Sequence, residues 1–490
     1  MKQKLVLVGV LLILAAVLVA CGAPAATAAP TTAPAAAATE APTVATAVPA
    51  TEAPTAAPEL TGDSLRGGKL YDIWFEELAV DAPKDVNPLW LDNAKAGETT
   101  PEDSYRCSTC HGFDYKGDLG FVGIAADAGK DPNTILAALK GSTNPKHDFS
   151  ALMDDQALTD LALFVSKEQI DVTAIAVDGK PVNGHADAGK TLFENNCTDC
   201  HGHQALGINF GTDAEPEYPA SIATDGTVEF ITKLRFGQPG RPKMPSGIDN
   251  SWKNQDYSDV IAYVQTLPAA SPATEGGRIY DNWINALGAT APEADQPLWK
   301  TQTENTTLKG GDTWLCSSCH GLDYKGKDGI NAKGTEGYTG FPGILDAQKM
   351  SEADLTAWLD GTKNKDHNFT SYFNADEIAR EVAFMQKAMT DHTPFVGADG
   401  KSTGNAGHGK VLFTTVCKVC HGDDGKTLNF MVDEGGTEYL GTIATDEPWG
   451  FLHVATVGVP GEPMPSGMNL GWSAQDIADV LAWAQTLPTK

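Results

Sequence analysis

The sequence predicts a mostly α-helical protein of four small domains, arranged as a tandem duplication of a two-domain unit behind an unfolded tether. Three observations predict this. A Cys-x-x-Cys-His pentapeptide occurs four times, and the sequence around it repeats once along the chain. Each of the four predicted domains also ends in a stretch whose apolar residues recur at three- and four-residue steps, as in an amphipathic helix. These closing helices are predicted to start at Asp155, Gln255, Ala375 and Ala474.

The duplication gives the domain boundaries. Cys107 matches Cys316 at an offset of 209 residues, and an insertion around residues 327–340 then changes the offset to 220. At the second offset the motif MPSG at Met244 matches MPSG at Met464. We therefore predict four domains, called segments 1 to 4 below, at residues 62–171, 172–270, 275–391 and 392–490.

The pentapeptide is typical of c-type haem attachment, in which two thiols bind the haem vinyl groups and the histidine binds the iron. Eight of the nine cysteines lie in the four motifs. We therefore predict four covalently bound c-type haems. The attachment cysteines are Cys107, Cys110, Cys197, Cys200, Cys316, Cys319, Cys417 and Cys420, and the proximal histidines are His111, His201, His320 and His421.

Other uses of paired cysteines are disfavoured. A zinc ribbon needs no histidine at a fixed place, yet all four copies have one. A disulfide framework is typical of short secreted chains, whereas this chain has 490 residues. No strand–helix pattern frames the motifs, as it would in a thioredoxin-like redox pair.

Segments 2 and 4 resemble class I cytochrome c domains. AGKTLFENNCTDCHG and HGKVLFTTVCKVCHG have a Gly-x-x-Leu-Phe helix running into the haem motif, with MPSG downstream and a closing helix at the end. The resemblance implies Met244 and Met464 as sixth iron ligands. Segments 1 and 3 are divergent, cytochrome c-like relatives, because their Gly-x-x-Tyr helices (Tyr71, Tyr280) lie well upstream of the cysteines and MPxG is missing.

The duplication also selects a sixth ligand for segments 1 and 3, since both halves should place it at equivalent positions. Among the other histidines only His147 and His367 recur, just before the closing helices. We predict that both bind iron, giving His/His sites. A histidine that only caps a helix or forms hydrogen bonds beside an open iron is the alternative, and Met153 could serve segment 1 alone. Five histidines are interpreted as ordinary surface or loop residues: His185, His203, His392, His408 and His453.

The N-terminus predicts export. Lys2 and Lys4 precede an apolar run, so residues 1–20 are interpreted as a signal peptide. Leu-Val-Ala-Cys, ending at Cys21, resembles a bacterial lipobox, which implies lipidation of the Cys21 thiol; an uncleaved signal anchor is the alternative. Residues 21–61 are rich in Ala, Pro and Thr and predict an unfolded linker. The folded part would be held at the outer face of the cytoplasmic membrane, in a periplasm or at the cell surface.

The net charge of −29 disfavours nucleic acid and anionic lipid as partners, and favours docking to a basic face of another redox protein. With every iron six-coordinate, the sequence predicts an electron carrier and not an enzyme. Because methionine raises the reduction potential relative to a nitrogen ligand, we expect two low-potential and two high-potential haems. Two alternatives stay open: an oxidoreductase with open iron in segments 1 and 3 acting on a small sulfur or nitrogen compound, and a tetrahaem subunit of a membrane electron-transfer complex.

Overall fold

Helices make up most of the regular structure in the computed structural model, which describes residues 59–240, 244–431 and 436–490. The named strands in these ranges are a two-residue antiparallel pair, Ala176–Val177 with Lys180–Pro181. The predicted mostly α class is therefore confirmed. The predicted signal peptide, Cys21 and most of the linker lie outside the described residues. None of the described helices is long and apolar enough to cross a membrane.

The helices follow the order of the four segments. Segment 1 has α-helices at Ser64–Leu78, Pro88–Leu91, Pro101–Ser104, Cys107–His111, Pro132–Leu139 and Asp155–Lys167. Segment 2 has Ala186–Asn196, Thr198–His201, Pro219–Asp225, Thr227–Phe236 and Asn254–Val264. Segment 3 has Pro272–Ala286, Cys316–His320, Glu352–Leu359 and Ala375–Lys387. Segment 4 has Ala406–Leu412, a π-helical turn at Phe413–Cys417, then Lys418–His421, Leu440–Asp446, Pro448–Val457 and Ala474–Ala484. Short 3-10 turns lie at Ala125–Asp127, Val172–Ala174, Pro297–Thr301, Gly310–Trp314, Leu345–Lys349 and Thr393–Phe395.

Three of the closing helices begin at a side chain that caps the free backbone N–H groups of the first turn. Asp154 accepts from the N–H of Ala157 at 2.7 Å. Asn374 and Ser473 do the same in segments 3 and 4, each within a capping box. Such caps typically stabilise a helix by about 1 kcal/mol, so the helix starts are encoded locally.

In every segment the first long helix crosses the closing helix at a glycine. A Cβ atom added at any of these glycines would lie only 1.8 to 2.1 Å from a backbone carbonyl oxygen of the closing helix. The pairs are Gly67 with Asp160 (2.1 Å), Gly189 with Asp259 (1.9 Å), Gly276 with Arg380 (2.0 Å) and Gly409 with Asp479 (1.8 Å). These distances are far below van der Waals contact, so only glycine allows the two backbones to approach this closely. The same helix crossing therefore recurs four times.

The buried apolar residues form four clusters, each lying mainly within one segment. The cluster of segment 1 also takes in Phe236 from segment 2, and the cluster of segment 3 takes in Val457 from segment 4. Within each half of the chain, the two segments are thus packed against one another through an apolar side chain.

The two halves of the chain are joined through Asp213 of segment 2. Its carboxylate, which is almost fully buried, accepts from the Arg278 guanidinium at 2.6 Å and from the N–H of Gly461 at 2.8 Å. Its backbone carbonyl accepts from Arg380 at 2.6 Å. These partners belong to segments 3 and 4, so segment 2 is fixed against both, and residues 58–490 form one compact unit.

Candidate haem sites

Each Cys-x-x-Cys-His motif forms or ends in a single helical turn that stops at a glycine. In segments 1 and 3 the turns are Cys107–His111 and Cys316–His320, followed by Gly112 and Gly321, both with φ of +74°. In segments 2 and 4 the turns end at His201 and His421, again before a left-handed glycine. One helical turn brings cysteines three residues apart to the same side, and the histidine follows directly.

None of the eight motif cysteines forms a disulfide. Within the described ranges, the group of potential metal ligands whose atoms lie within 4.8 Å of one another consists of His408, Asp476 and Asp479, without a cysteine. The motifs therefore do not converge into a zinc-ribbon cluster in this part of the chain.

The structure brings the predicted histidine pairs of segments 1 and 3 together. The imidazole ring centres of His111 and His147 lie 6.1 Å apart at an interplanar angle of 73°, and those of His320 and His367 lie 6.4 Å apart at 63°. The two halves thus contain the same arrangement, although 36 residues separate the first pair in sequence and 47 separate the second.

Backbone carbonyl groups orient all four of these rings. His111 donates from Nδ1 to the carbonyl of Val122 and His320 to that of Pro342, both at 2.7 Å. His147 donates from Nδ1 to Ala138 at 3.3 Å, and His367 to Trp358 at 3.0 Å. A neutral imidazole that donates from Nδ1 keeps the lone pair on Nε2, which is the usual way in which a backbone carbonyl prepares a histidine for a metal ion.

Burial favours the neutral form of three of these imidazoles. It lowers the pKa of His320 to about 4 and also lowers the pKa values of His111 and His367. These three rings are therefore uncharged at neutral pH, and an uncharged imidazole can bind iron.

A cavity in segment 3 contains the complete predicted ligand set. Cys316, Cys319, His320 and His367 all line it. Its other walls include the apolar side chains Leu298, Trp314, Leu315, Phe341 and Phe369. Two thiols, two facing imidazoles and an apolar wall fit a covalently bound haem with an iron ligand on each face.

Segments 2 and 4 share a different environment for the proximal histidine. The Nδ1 atoms of His201 and His421 are buried and have no hydrogen-bond partner among the described residues. Their rings pack beside Phe210 and Phe430, with ring centres 5.8 and 6.0 Å apart. The two kinds of segment thus differ in structure as they do in sequence.

The predicted methionine ligands, Met244 and Met464, are both partly buried. Met244 is half-buried and packs against the apolar cluster of segment 2, as does Cys197. Met464 is half-buried, and its carbonyl accepts from Arg278 at 3.1 Å. Met153, the alternative ligand for segment 1, is buried in that segment's apolar cluster. Ligation of iron by Met244 and Met464 stays a prediction.

His453, which we interpreted from the sequence as an ordinary surface or loop residue, is buried within helix Pro448–Val457, so that interpretation was wrong. His453 is fully buried, accepts at Nδ1 from the Tyr324 hydroxyl at 2.7 Å and donates from Nε2 to the carbonyl of Gly277 at 3.0 Å. His392 is only 3% exposed. Leu452 and Val454 flank His453 in the sequence, a pattern that indicates burial as readily as exposure, whereas Asp391 and Thr393 flank His392 and give no such signal.

Comparison with known proteins identifies one cytochrome c domain. Residues 186–268 match the family model for cytochrome c, and this stretch contains Cys197, Cys200, His201 and Met244. The chain is therefore a haem redox protein with a covalently bound c-type haem in segment 2. Among solved structures, the chain is similar to the as-isolated form of a thiosulfate dehydrogenase from Marichromatium purpuratum at 13% identity, covering 80% of this chain and 89% of that chain. The TM-score of 0.21 is too low to indicate a shared arrangement or activity.

Proposed function

We propose that the protein is a tetrahaem electron carrier in which each segment binds one c-type haem. The observation that carries the proposal is the pair of facing histidines in segments 1 and 3. Imidazole nitrogens bind metal ions at about 2 Å, so two imidazoles on opposite faces of one iron have ring centres about 6 Å apart. The measured separations are 6.1 and 6.4 Å.

A histidine on each face of the iron leaves no open position for a substrate. Bound haem supplies one-electron chemistry, and the residues around it decide whether the iron also meets small molecules. His147 and His367 would bind the second face of the iron, in the orientation that their hydrogen bonds to backbone carbonyls support. These contacts favour electron transfer over the alternative of an oxidoreductase with open iron.

The proposal also covers where the carrier acts. A lipid at Cys21 would tether it outside the cytoplasmic membrane, and the linker would let it reach a partner. Its net charge of −29 suits a redox partner with a basic docking face, with an association rate that falls as salt rises. The sequence features described above support this part of the proposal.

Near-infrared magnetic circular dichroism of the oxidised holoprotein tests the ligand assignment, because it separates His/His, His/Met and high-spin haem. We expect four haems per chain by pyridine haemochrome assay, two of them His/His and two His/Met. In His147→Ala one His/His signal should be replaced by a high-spin signal. His203→Ala, at an exposed loop position, should change nothing.

One result would overturn the proposal. If the unaltered protein has a high-spin population that shifts when cyanide is added, then segments 1 and 3 contain open iron. The oxidoreductase alternative would then be the better description.

A further inference from the structure

The haem motif of segment 2 lies directly against segment 4. The N–H of Ser466 donates to the carbonyl of Gly207 at 3.2 Å, and the side-chain amide of Asn469 donates to the carbonyl of Leu206 at 2.8 Å. Gly207 follows the proximal histidine His201 by six residues, and its N–H donates to the carbonyl of His201 at 2.8 Å. Residues 466–470, which follow Met464, therefore reach the loop that leaves the haem motif of segment 2.

Segment 4 approaches segment 2 so closely that a side chain larger than that of glycine would clash at two positions of segment 2. A Cβ added at Gly202 would lie 2.4 Å from the carbonyl oxygen of Asn469, and one added at Gly207 would lie 2.8 Å from Cδ2 of Leu470. The motif turns themselves also meet, since Cα atoms of residues 198–201 lie within 8 Å of Cα atoms of residues 413–417. Each of these stretches includes a cysteine that would carry a haem.

Asn469 holds the contact in place. Besides Leu206, its amide group donates to the Thr274 hydroxyl at 3.0 Å, and its oxygen accepts from the Ser271 hydroxyl at 2.8 Å. Thr274 and Ser271 lie at the start of helix Pro272–Ala286, where the second half of the chain begins. One side chain thus ties segment 2 to segment 4 and to the junction between the halves.

This surface is not a by-product of the duplication. The positions equivalent to Asn469 and Leu470 in the first half are Asp249 and Asn250, and both are exposed. The position equivalent to Gly207 in the second half is Thr427. Gly207, Asn469 and Leu470 thus differ from their counterparts, on both sides of the contact, whereas Gly202 and Ser466 correspond to Gly422 and Ser246.

We propose that the contact between residues 202–207 and 466–470 is where electrons cross between the two halves of the molecule, with Asn469 as its positioning residue. This inference rests on the proposed tetrahaem function. The step is the transfer of one electron from a reduced iron site in one segment to an oxidised iron site in the other. No bond forms or breaks, and no proton needs to move. Segments 2 and 4 would then hold the two haems between which this transfer takes place.

The test compares Asn469→Ala with its matched control Asp249→Ala in the holoprotein. Electron redistribution after partial photoreduction should become severalfold slower in Asn469→Ala and stay unchanged in the control. Electron paramagnetic resonance of the oxidised protein should show a magnetic interaction between the two His/Met haems that weakens in Asn469→Ala only. Leu470→Asn, which introduces the residue of the first half, is a second variant that leaves the Asn469 bonds in place and should also slow redistribution.

The outcomes separate this inference from the function on which it rests. Four haems with no interaction between the His/Met pair, or with equal redistribution rates in all variants, would overturn the inference alone. Fewer than four haems per chain would overturn the tetrahaem function, and the crossing point with it. Circular dichroism confirms that each variant is folded before rates are compared.

Discussion

At the residue scale, the backbone carbonyls that accept from His147 and His367 decide which imidazole nitrogen faces the proximal histidine. Ala138 and Trp358, the two acceptors, occupy equivalent positions in the two halves. The duplication selects these histidines from the sequence, but it does not reveal the carbonyl partners, because those bonds depend on how the preceding helix ends.

Replacing His147 with methionine should raise the reduction potential of one haem, because a thioether in place of a nitrogen ligand favours the reduced iron. A potentiometric titration followed by visible absorption measures the change. His203→Met, at an exposed position, is the control and should leave all potentials unchanged. If His147→Met behaves like the control, then His147 does not bind iron.

Glu381 is a second residue whose environment the sequence does not reveal. It is fully buried, its Oε1 lies 4.0 Å from Sγ of Cys316, and its Oε2 has no hydrogen-bond partner among the described residues. Burial raises its pKa well above the ordinary value of a glutamate. Segment 1 has Leu161 at the equivalent position, so the carboxyl group is specific to segment 3.

Glu381→Gln should stabilise the fold at pH 7 but not at pH 4. The unfolded carboxyl loses its proton above about pH 4, whereas the folded one keeps it, so the free energy of unfolding falls as pH rises through that range. Glutamine does not ionise, so the free energy of unfolding of Glu381→Gln does not fall in this way as pH rises. Denaturant unfolding at both pH values measures the difference. A stability change of the same size at pH 4 and pH 7 would contradict the argument, and Glu352→Gln, on an exposed helix surface, is the control.

At the scale of the elements, the sequence predicts where the closing helices start. It does not predict where each of them crosses the first long helix of its segment. Three closing helices start at the predicted residues, Asp155, Ala375 and Ala474. The closing helix of segment 2 starts at Asn254, one residue before the predicted Gln255. Apolar spacing and local caps encode these starts. Nothing local marks Gly409 as a crossing point, because its role depends on a carbonyl about seventy residues away in the chain.

Gly409→Ala should destabilise segment 4 strongly. The added methyl group would lie 1.8 Å from the carbonyl oxygen of Asp479, so the two helices would have to move apart. Forcing extra atoms into a packed interior costs about 1–3 kcal/mol and occasionally more. Gly407→Ala is the control on the same helix, since its methyl group would meet only the side-chain oxygen of Asn405, at 3.2 Å.

Denaturant unfolding should show a clear loss of stability for Gly409→Ala. The Gly407→Ala variant should stay within about 1 kcal/mol of the parent, because alanine favours a helix more than glycine does. Equal stabilities for the two variants would mean that the helices can separate at no cost. That would remove the physical reason given for a glycine at all four crossings.

At the scale of the whole molecule, the sequence predicts a tandem duplication but does not predict how the two halves contact one another. A duplication predicts equivalent residues, whereas several residues that make the contact between the halves differ from their counterparts. Arg278, which binds Asp213, corresponds to Lys69 in the first half, and Asn469 corresponds to Asp249. An interface between repeats is therefore visible only in the folded structure.

Asp213→Ala should loosen the two halves from one another. Asp213 and Arg278 are 2% and 3% exposed and form a 2.6 Å ion pair. Removing one partner leaves an uncompensated buried charge, which costs about 3–5 kcal/mol. Thermal unfolding should shift to lower temperature, and limited proteolysis should cut faster near residues 268–272, between the halves. Glu194→Ala is the control, because the side chains of Glu194 and Lys190 are 43% and 54% exposed in their pair, and such pairs contribute about 0–1 kcal/mol. Should both variants unfold and be cut alike, the halves must be held by other contacts, and Asp213 could not be what keeps segment 2 beside segment 4.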